Sequence, residues 1–286
     1  MPPAVSRHRA PPRQGTEEDA GLWGARLLRF ASLPSTNEWA MANMGDCRNG
    51  DIVWARCQTA GRGRMGRAWY SAPGEGLTFT VVIRSADYAP VAANLGQAAA
   101  LALQAVLDSE GVPAALKWPN DVVVRGMKIA GLLVDTIRDG GYALGIGLNV
   151  NLTEARFAAT GLGTSATSMR IVAGHRFQCL RVLRRLGRAL EAALDGLRRD
   201  GLAPTLDAWS RHDALLDRFV CVSAEGRRVT GRYAGLGESG ELRLIDSRGV
   251  VRTFWTGDVT RLRAVSSPPV ARDRPPSLAP ADGRRA

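Results

Sequence analysis

Apolar and polar positions along the chain fall into segments of two different periods. Residues 27–33, 51–58 and 77–84 are short runs rich in β-branched and large apolar side chains, and they read as strands. Between the first two, PSTNEWAMANM is helical in character, and Ser35 and Glu38 fit a capping box with Ser35 at the N-cap. The alanine- and leucine-rich stretch 94–110 reads as a helix ended by Gly111. Strand-like segments follow at 115–124, 129–137 and 142–151. Helical periodicity returns over 176–199, where Leu183, Leu186, Leu190, Leu194 and Leu197 share one stripe and Arg181, Arg184, Arg185 and Arg188 lie opposite. A second helix is expected over 203–217. Beyond it come five short alternating stretches (FVCVSA, RRVTGRYAGL, GELRLID, GVVRTFWTG and DVTRLRAV) with glycine-containing turns, as in a small β-barrel. The pattern predicts an α+β chain: a mixed unit over 21–217 and a small β unit over 218–265. Residues 1–20 and 266–286, rich in Pro, Arg and small polar residues, read as disordered ends.

Composition narrows the classes. A chain of 286 residues that is 45% hydrophobic is not disordered and is long enough for one or two buried cores. No uninterrupted apolar run approaches a membrane span, and the first thirty residues lack the apolar stretch of a secretory signal. Cys47, Cys57, Cys179 and Cys221 have no close pairing and no histidine at metal-ligand spacing, so free thiols and a cytoplasmic location are expected. The net charge of +11 is compatible with a nucleic-acid or acidic partner and equally with solvated arginines. For the basic face of 176–199, periodicity alone favours solvation. One feature of the basic set localises attention. Only Lys117 and Lys128 are lysines, and they stand eleven residues apart. Lysine and arginine are not interchangeable, so this segment is the first place to look for chemistry.

Two motifs carry that chemistry. In QTAGRGRMGRAWYS, residues 58–71, Gly61, Gly63 and Gly66 satisfy the spacing of a dinucleotide-binding loop. The fingerprint needs a helix to open at its third glycine, and Pro73, Gly74 and Gly76 would break one, so that reading is rejected. Arg62, Arg64 and Arg67 alternating with glycines instead fit a mobile clamp for an anion, with Trp69 placed to cover a ligand face; a plain surface loop is the alternative. In KWPNDVVVRGMKIAGLLVD, residues 117–135, Pro119 disfavours helix, which puts Lys117, Asn120 and Asp121 at a strand edge or turn. Asp121 is a candidate to hold a divalent metal or to orient a nucleophile. Lys128, at the start of an apolar strand, is either a compact cation at the edge of a pocket or a snorkelling strand-end lysine. Ser35-Thr36-Asn37 caps a helix or binds a ligand. GIGLNVN, residues 145–151, allows close backbone approach and presents Asn149.

The order of these pieces is more specific than any one of them. STN, then QTAGRGRMGRAWYS, then KWPND with KIAGLLV, then GIGLNVN closely resembles the biotin protein ligase family over about residues 35–151. The resemblance implies a mixed-sheet catalytic domain related to class II aminoacyl-tRNA synthetases, followed by an SH3-like barrel. It also implies biotin and ATP as substrates with Mg²⁺, a biotinyl-5′-adenylate intermediate, and transfer to a lysine of a biotin carboxyl carrier protein. By motif match, Ser35, Thr36, Asn37, Gln58, Arg62, Gly63, Arg64 and Lys128 bind biotin. Arg62, Arg64, Arg67, Trp69, Asn120, Lys128 and Asn149 bind ATP or the adenylate. Lys128, Arg64 and Asp121 form the catalytic set, with Asp121 as the metal ligand. Many bacterial members carry an N-terminal DNA-binding domain, and the roughly thirty-five residues before STN are too few for one, so no sequence-specific DNA binding is expected. Met65 stands where some members have a basic residue. A monomer and a homodimer are both acceptable, and no membrane is expected. The fold-related lipoate ligases and octanoyl transferases are the alternative enzyme class, disfavoured by GRGRMGRAW and KWPND. A nucleic-acid-binding module is the alternative outside enzymes.

Overall fold

A computed structural model describes residues 22–136 and 140–261 of the chain; the predicted disordered ends lie outside them. The first strands, β1 (Leu27–Phe30) and β2 (Ile52–Ala55), run parallel, joined through helix α1 (Thr36–Ala42). The remaining strands of the same sheet pair antiparallel: β3 (Gly76–Ile83), β4 (Ala115–Lys117), β5 (Asp121–Val124), β6 (Met127–Thr136) and β7 (Tyr142–Asn149). The order across the seven strands is β1-β2-β3-β7-β6-β5-β4, so the sheet is mixed, as the α+β reading requires. Helices α2 (Leu95–Ser109), α3 (Glu154–Ala159), α4 (Met169–Ala173), α5 (Cys179–Asp200) and α6 (Ala203–Arg211) complete this part.

Strand alternation assigns the two faces of the sheet. Leu77, Phe79 and Val81 on β3 and Leu144, Ile146 and Leu148 on β7 join the large core, against Leu103 and Leu107 of α2. The predicted leucine stripe of α5 enters the same core: Leu183, Leu186, Leu190, Leu194 and Leu197 are all buried. Burying each such side chain is worth about 1.5–3 kcal/mol. Of the arginines opposite, Arg185 turns back to Glu110 and Ser109, while Arg181 and Arg188 are exposed. On the other face, α1 covers only a small cluster of Trp39, Ala40, Val53, Val82 and Ala143. Past α1, that face carries Thr80, Gly145, Gly147 and Asn149 and opens as a cavity.

Three expectations are corrected. Segment 115–124 is two strands, because the turn at Trp118–Asn120 reverses the chain and sets Lys117 opposite Asp121. The strand expected over 27–33 ends at Phe30. The helix expected over 203–217 ends at Arg211: Leu116 donates from its backbone N–H to His212 and accepts from Ala214, and this pairing draws the chain out of the helical path. The helical stretch Ala86–Ser109 is long and apolar enough on average to match a membrane span by length and composition, but Asp87, Asn94, Gln97, Gln104 and Asp108 interrupt it, so it is not an uninterrupted apolar run. It contains α2, most of which is buried between the sheet and α5.

The second sheet follows α6, with β8 (Phe219–Ala224), β9 (Arg227–Leu236), β10 (Leu242–Ile245), β11 (Val251–Phe254) and β12 (Asp258–Arg261) in the order β11-β10-β9-β8-β12. Its five antiparallel strands fit an SH3-like unit, although β11 and β12 are not joined into a closed ladder. A buried polar knot ties the two sheets together. Tyr233 on β9 donates its hydroxyl to Asp213 Oδ2 at 2.6 Å, Trp209 Nε1 donates to the same oxygen at 3.2 Å, and Leu215 N–H donates to Oδ1 at 2.9 Å. Burial raises the Asp213 carboxyl above its ordinary value, and the three donors only partly offset this.

Candidate active site

The floor of the cavity is made by glycines on β6 and β7 whose missing side chains leave room for others. A Cβ on Gly145 would lie 2.3 Å from Asn37 Oδ1, and one on Gly147 would lie 2.3 Å from Trp69 Cε2. The α1 cap forms the polar end. Ser35 Oγ accepts from the Glu38 backbone N–H at 3.4 Å, as the capping box predicts. Thr36 donates from both its N–H and its hydroxyl to Gln58 Oε1, at 2.8 and 3.0 Å. Asn37 donates to Asp135 Oδ2 at 2.9 Å and accepts from the Thr80 hydroxyl at 2.6 Å. Ser35, Thr36 and Asn37 are all buried, so their orientation is held by these partners.

The glycine–arginine loop folds over this floor. Gly63 N–H donates to Arg67 O and Trp69 N–H to Gly61 O, at 2.7 and 2.8 Å, closing a short two-stranded ladder. Its tip is a single 3₁₀ turn, Arg64–Gly66, with Met65 exposed at φ 56°. No α-helix opens at Gly66, in agreement with the rejection of the dinucleotide fingerprint. The three arginines reach three different elements: Arg62 pairs with Glu38 on α1, Arg64 donates to Asn120 Oδ1 at 3.5 Å and Thr256 Oγ1 at 2.8 Å, and Arg67 pairs with Asp258 on β12.

The opposite end is cationic. Lys128 Nζ lies 2.6 Å from Asp121 Oδ1 and 5.6 Å from the Trp69 ring centroid. The segment after α3 pairs beside it, with Lys128 N–H donating to Ser165 O at 2.8 Å and Thr167 N–H to Lys128 O at 2.9 Å. Asn120 donates to Leu132 O, which pins the turn between β4 and β5 onto β6. Asn149 spends its amide on Thr167 O at 3.0 Å, so it holds that wall of the cavity in place. Lys117 is largely withdrawn from solvent, and burial pushes its ammonium below the ordinary lysine value against the opposing pull of Asp121.

All thirteen candidate residues line one cavity of about 610 Å³: the cap residues and Gln58, the loop residues Arg62, Gly63, Arg64, Arg67 and Trp69, and Asn120, Asp121, Lys128 and Asn149. That volume suits a ligand of drug or nucleotide size. Buried amides and hydroxyls mark its α1 end, which Arg62 also reaches, and Arg64, Arg67 and the two lysines mark the other.

The sequence pattern of the biotin/lipoate A/B protein ligase family matches residues 27–152. The biotin–[acetyl-CoA-carboxylase] ligase of Mycobacterium tuberculosis is 35% identical over 252 residues, covering 85% of this chain and 92% of that protein. The chain belongs to the biotin protein ligase family. A second such ligase, from Paracoccus denitrificans, is 33% identical over 75% of this chain and 92% of its own length. Among solved structures, the biotin protein ligase of Aquifex aeolicus in complex with biotin and ATP superposes with a TM-score of 0.73 at 25% identity, covering 83% of this chain and 99% of that one.

Within this cavity, several positions escaped the sequence reading. Ser165 and Ala166 form the wall beside Lys128, and no local signal marks them. Thr80 and Asp135 orient Asn37; the alternation of β3 and β6 would have placed both on the cavity face had their register been known. Asp258, Val259 and Thr260 reach the cavity from the second sheet, a contact that chain order does not announce.

Proposed function

We propose that the protein joins biotin to ATP, forming biotinyl-5′-adenylate and pyrophosphate, and then passes the biotinyl group to a lysine of a biotin carboxyl carrier domain. The observation that carries this reading is the convergence of the whole ordered motif set on one cavity. In the first step a biotin carboxylate oxygen attacks the α-phosphorus, and the bond from that phosphorus to the pyrophosphate oxygen breaks. In the second, the acceptor amine attacks the acyl carbon; the C–N bond forms, the bond to the AMP oxygen breaks, and the amine gives up its proton.

The residues divide the work by their surroundings. Ser35, Thr36, Asn37 and Gln58, already oriented by buried hydrogen bonds, take the polar head of biotin, and Arg62 and Gly63 close beside it. Arg64, Arg67, Asn120 and Asn149 border the nucleotide, and Trp69 covers the ligand against the glycine floor. Lys128 stands where the carboxylate meets the phosphate, and its point charge offsets negative charge that grows in the transition state. No side chain becomes covalently modified; proximity and charge stabilisation suffice. Asp121 is the carboxylate that would hold Mg²⁺, which neutralises triphosphate charge. Asp121 Oδ1 is engaged by Lys128 at 2.6 Å. No group of three or more His, Cys, Asp or Glu side chains that could hold a metal is found among the described residues, so such an ion would take most of its ligands from phosphates and water. We read 21–217 as the catalytic unit and 218–265 as the C-terminal unit, and we place the enzyme in the cytoplasm.

The test mixes the protein with biotin, ATP, Mg²⁺ and purified carrier domains, with lipoate replacing biotin in a parallel arm. Carrier mass is expected to rise by one biotinyl group, with no change in the lipoate arm. Unchanged mass across several carriers, or modification with lipoate alone, refutes the reading.

A further inference from the structure

The second sheet places a carboxylate among the loop arginines. Asp258 opens β12, and its backbone is set by pairing with Ser223 on β8. Gly257 before it runs so close to that strand that a Cβ there would lie 2.9 Å from Ser223 O. The sheet itself is braced against the KWPND turn: Gly240 O accepts from Trp118 Nε1 at 3.2 Å and from Gln97 Nε2 at 2.9 Å. Asp258 is therefore held at a defined position over the cationic end, where it pairs with Arg67 and lies within the field of Arg64 and Lys117. Elsewhere the loop is held by Arg62 on Glu38 and by a long contact from Arg64 to Asn120. Met65 is 70% exposed, and the backbone ladder joins the loop only to itself.

We infer that Asp258, assisted by Thr256, is a positioning residue that latches Arg67 and Arg64 over the nucleotide end of the cavity, so that the second sheet sets how long the adenylate is retained. This rests on the biotin-activation reading given above. Asp258 touches no reacting atom; it acts through the two arginines. The latch also accounts for why a unit outside the motif-bearing segment contributes residues 258–260 to the cavity wall.

The test compares the full chain with Asp258→Asn and Asp258→Glu in two measurements. The first is trypsin cleavage after Arg62, Arg64 and Arg67 in the ligand-free protein, at low and high salt. Arg67 and Asp258 are both substantially exposed, and such pairs are worth at most about 1 kcal/mol. Cleavage at these sites, which follows the open population, should therefore rise about two- to fivefold in Asp258→Asn. Asp258→Glu should largely restore protection, and the gap should shrink in high salt as the pair is screened. The second measurement is dissociation of pre-formed biotinyl-adenylate. It should accelerate by a similar factor, with KM for ATP rising and KM for biotin unchanged. Equal cleavage, or a gap indifferent to salt, overturns the latch. Faster cleavage with unaltered adenylate retention overturns its role at the nucleotide. If the wild-type chain forms no adenylate, the functional reading fails while the cleavage arm still decides the latch.

Discussion

Lys128 bears most directly on the proposed adenylation step. Its Nζ lies 2.6 Å from Asp121 Oδ1, and its Cε and Nζ lie 2.9 Å from where a Gly131 Cβ would be. The Trp69 ring closes the slot from above, 5.6 Å from Nζ to its centroid. Such a slot suits a compact ammonium better than a guanidinium fork. Lys128→Gln removes the charge at nearly constant length, while Lys128→Arg keeps the charge but displaces it. A unit charge about 4 Å from an anionic oxygen contributes about 4 kcal/mol at an effective dielectric of about 20. The side chain is 37% exposed, so screening lowers the useful range to about 2–4 kcal/mol. That corresponds to adenylation about 30- to 1,000-fold slower in either variant. The assay is biotin-dependent pyrophosphate release, with thermal unfolding measured in parallel to show that the fold is intact. A well-folded Lys128→Arg enzyme releasing pyrophosphate within threefold of the wild-type rate would refute the point-charge role.

Three further outcomes test other parts of the structure. Gly145→Ala drives a Cβ into Asn37, whose amide is committed to Asp135 and Thr80; a loss of about 2–4 kcal/mol in urea unfolding is expected, and unchanged stability would contradict the assigned packing. Because burial raises the Asp213 carboxyl above 3.8, the folded chain holds that proton more tightly than the unfolded one, and the stability from this site falls as pH rises from 3.8 to the raised value. Across that window the unfolding free energy of the wild type minus that of Asp213→Asn should decrease with pH; a flat or rising difference counts against the buried knot. Residues 61–69 should be cleaved by trypsin in the free protein and protected by biotinyl-adenylate, whereas equal rates would argue against loop closure over the ligand.

The parts of the fold legible in the sequence are those encoded over a few residues. The Ser35–Glu38 cap sets where α1 begins, the leucine stripe of α5 sets which face is buried, and the glycines of 145–147 mark a strand face stripped of side chains. The candidate site residues follow from ordered motifs, and the two lysines fall in the segment where Lys128 and Asp121 pair. Elements whose limits depend on distant partners were misread. Helix α6 stops short because β4 captures His212–Ala214, and segment 115–124 splits because its second half returns beside its first.

Periodicity, capping and motif order therefore determined the class of the fold, its family and a candidate residue set that lines one cavity. Tertiary structure alone decided what each of those side chains faces. Arg67 meets Asp258 across 191 residues, Asn37 meets Asp135 across 98, and Trp69 lies on Gly147. Local preferences act within a turn of helix or along a strand, whereas these contacts follow from strand order and from how the second sheet docks. Geometry of that kind is set by the burial of the whole core, and no short stretch of sequence contains it.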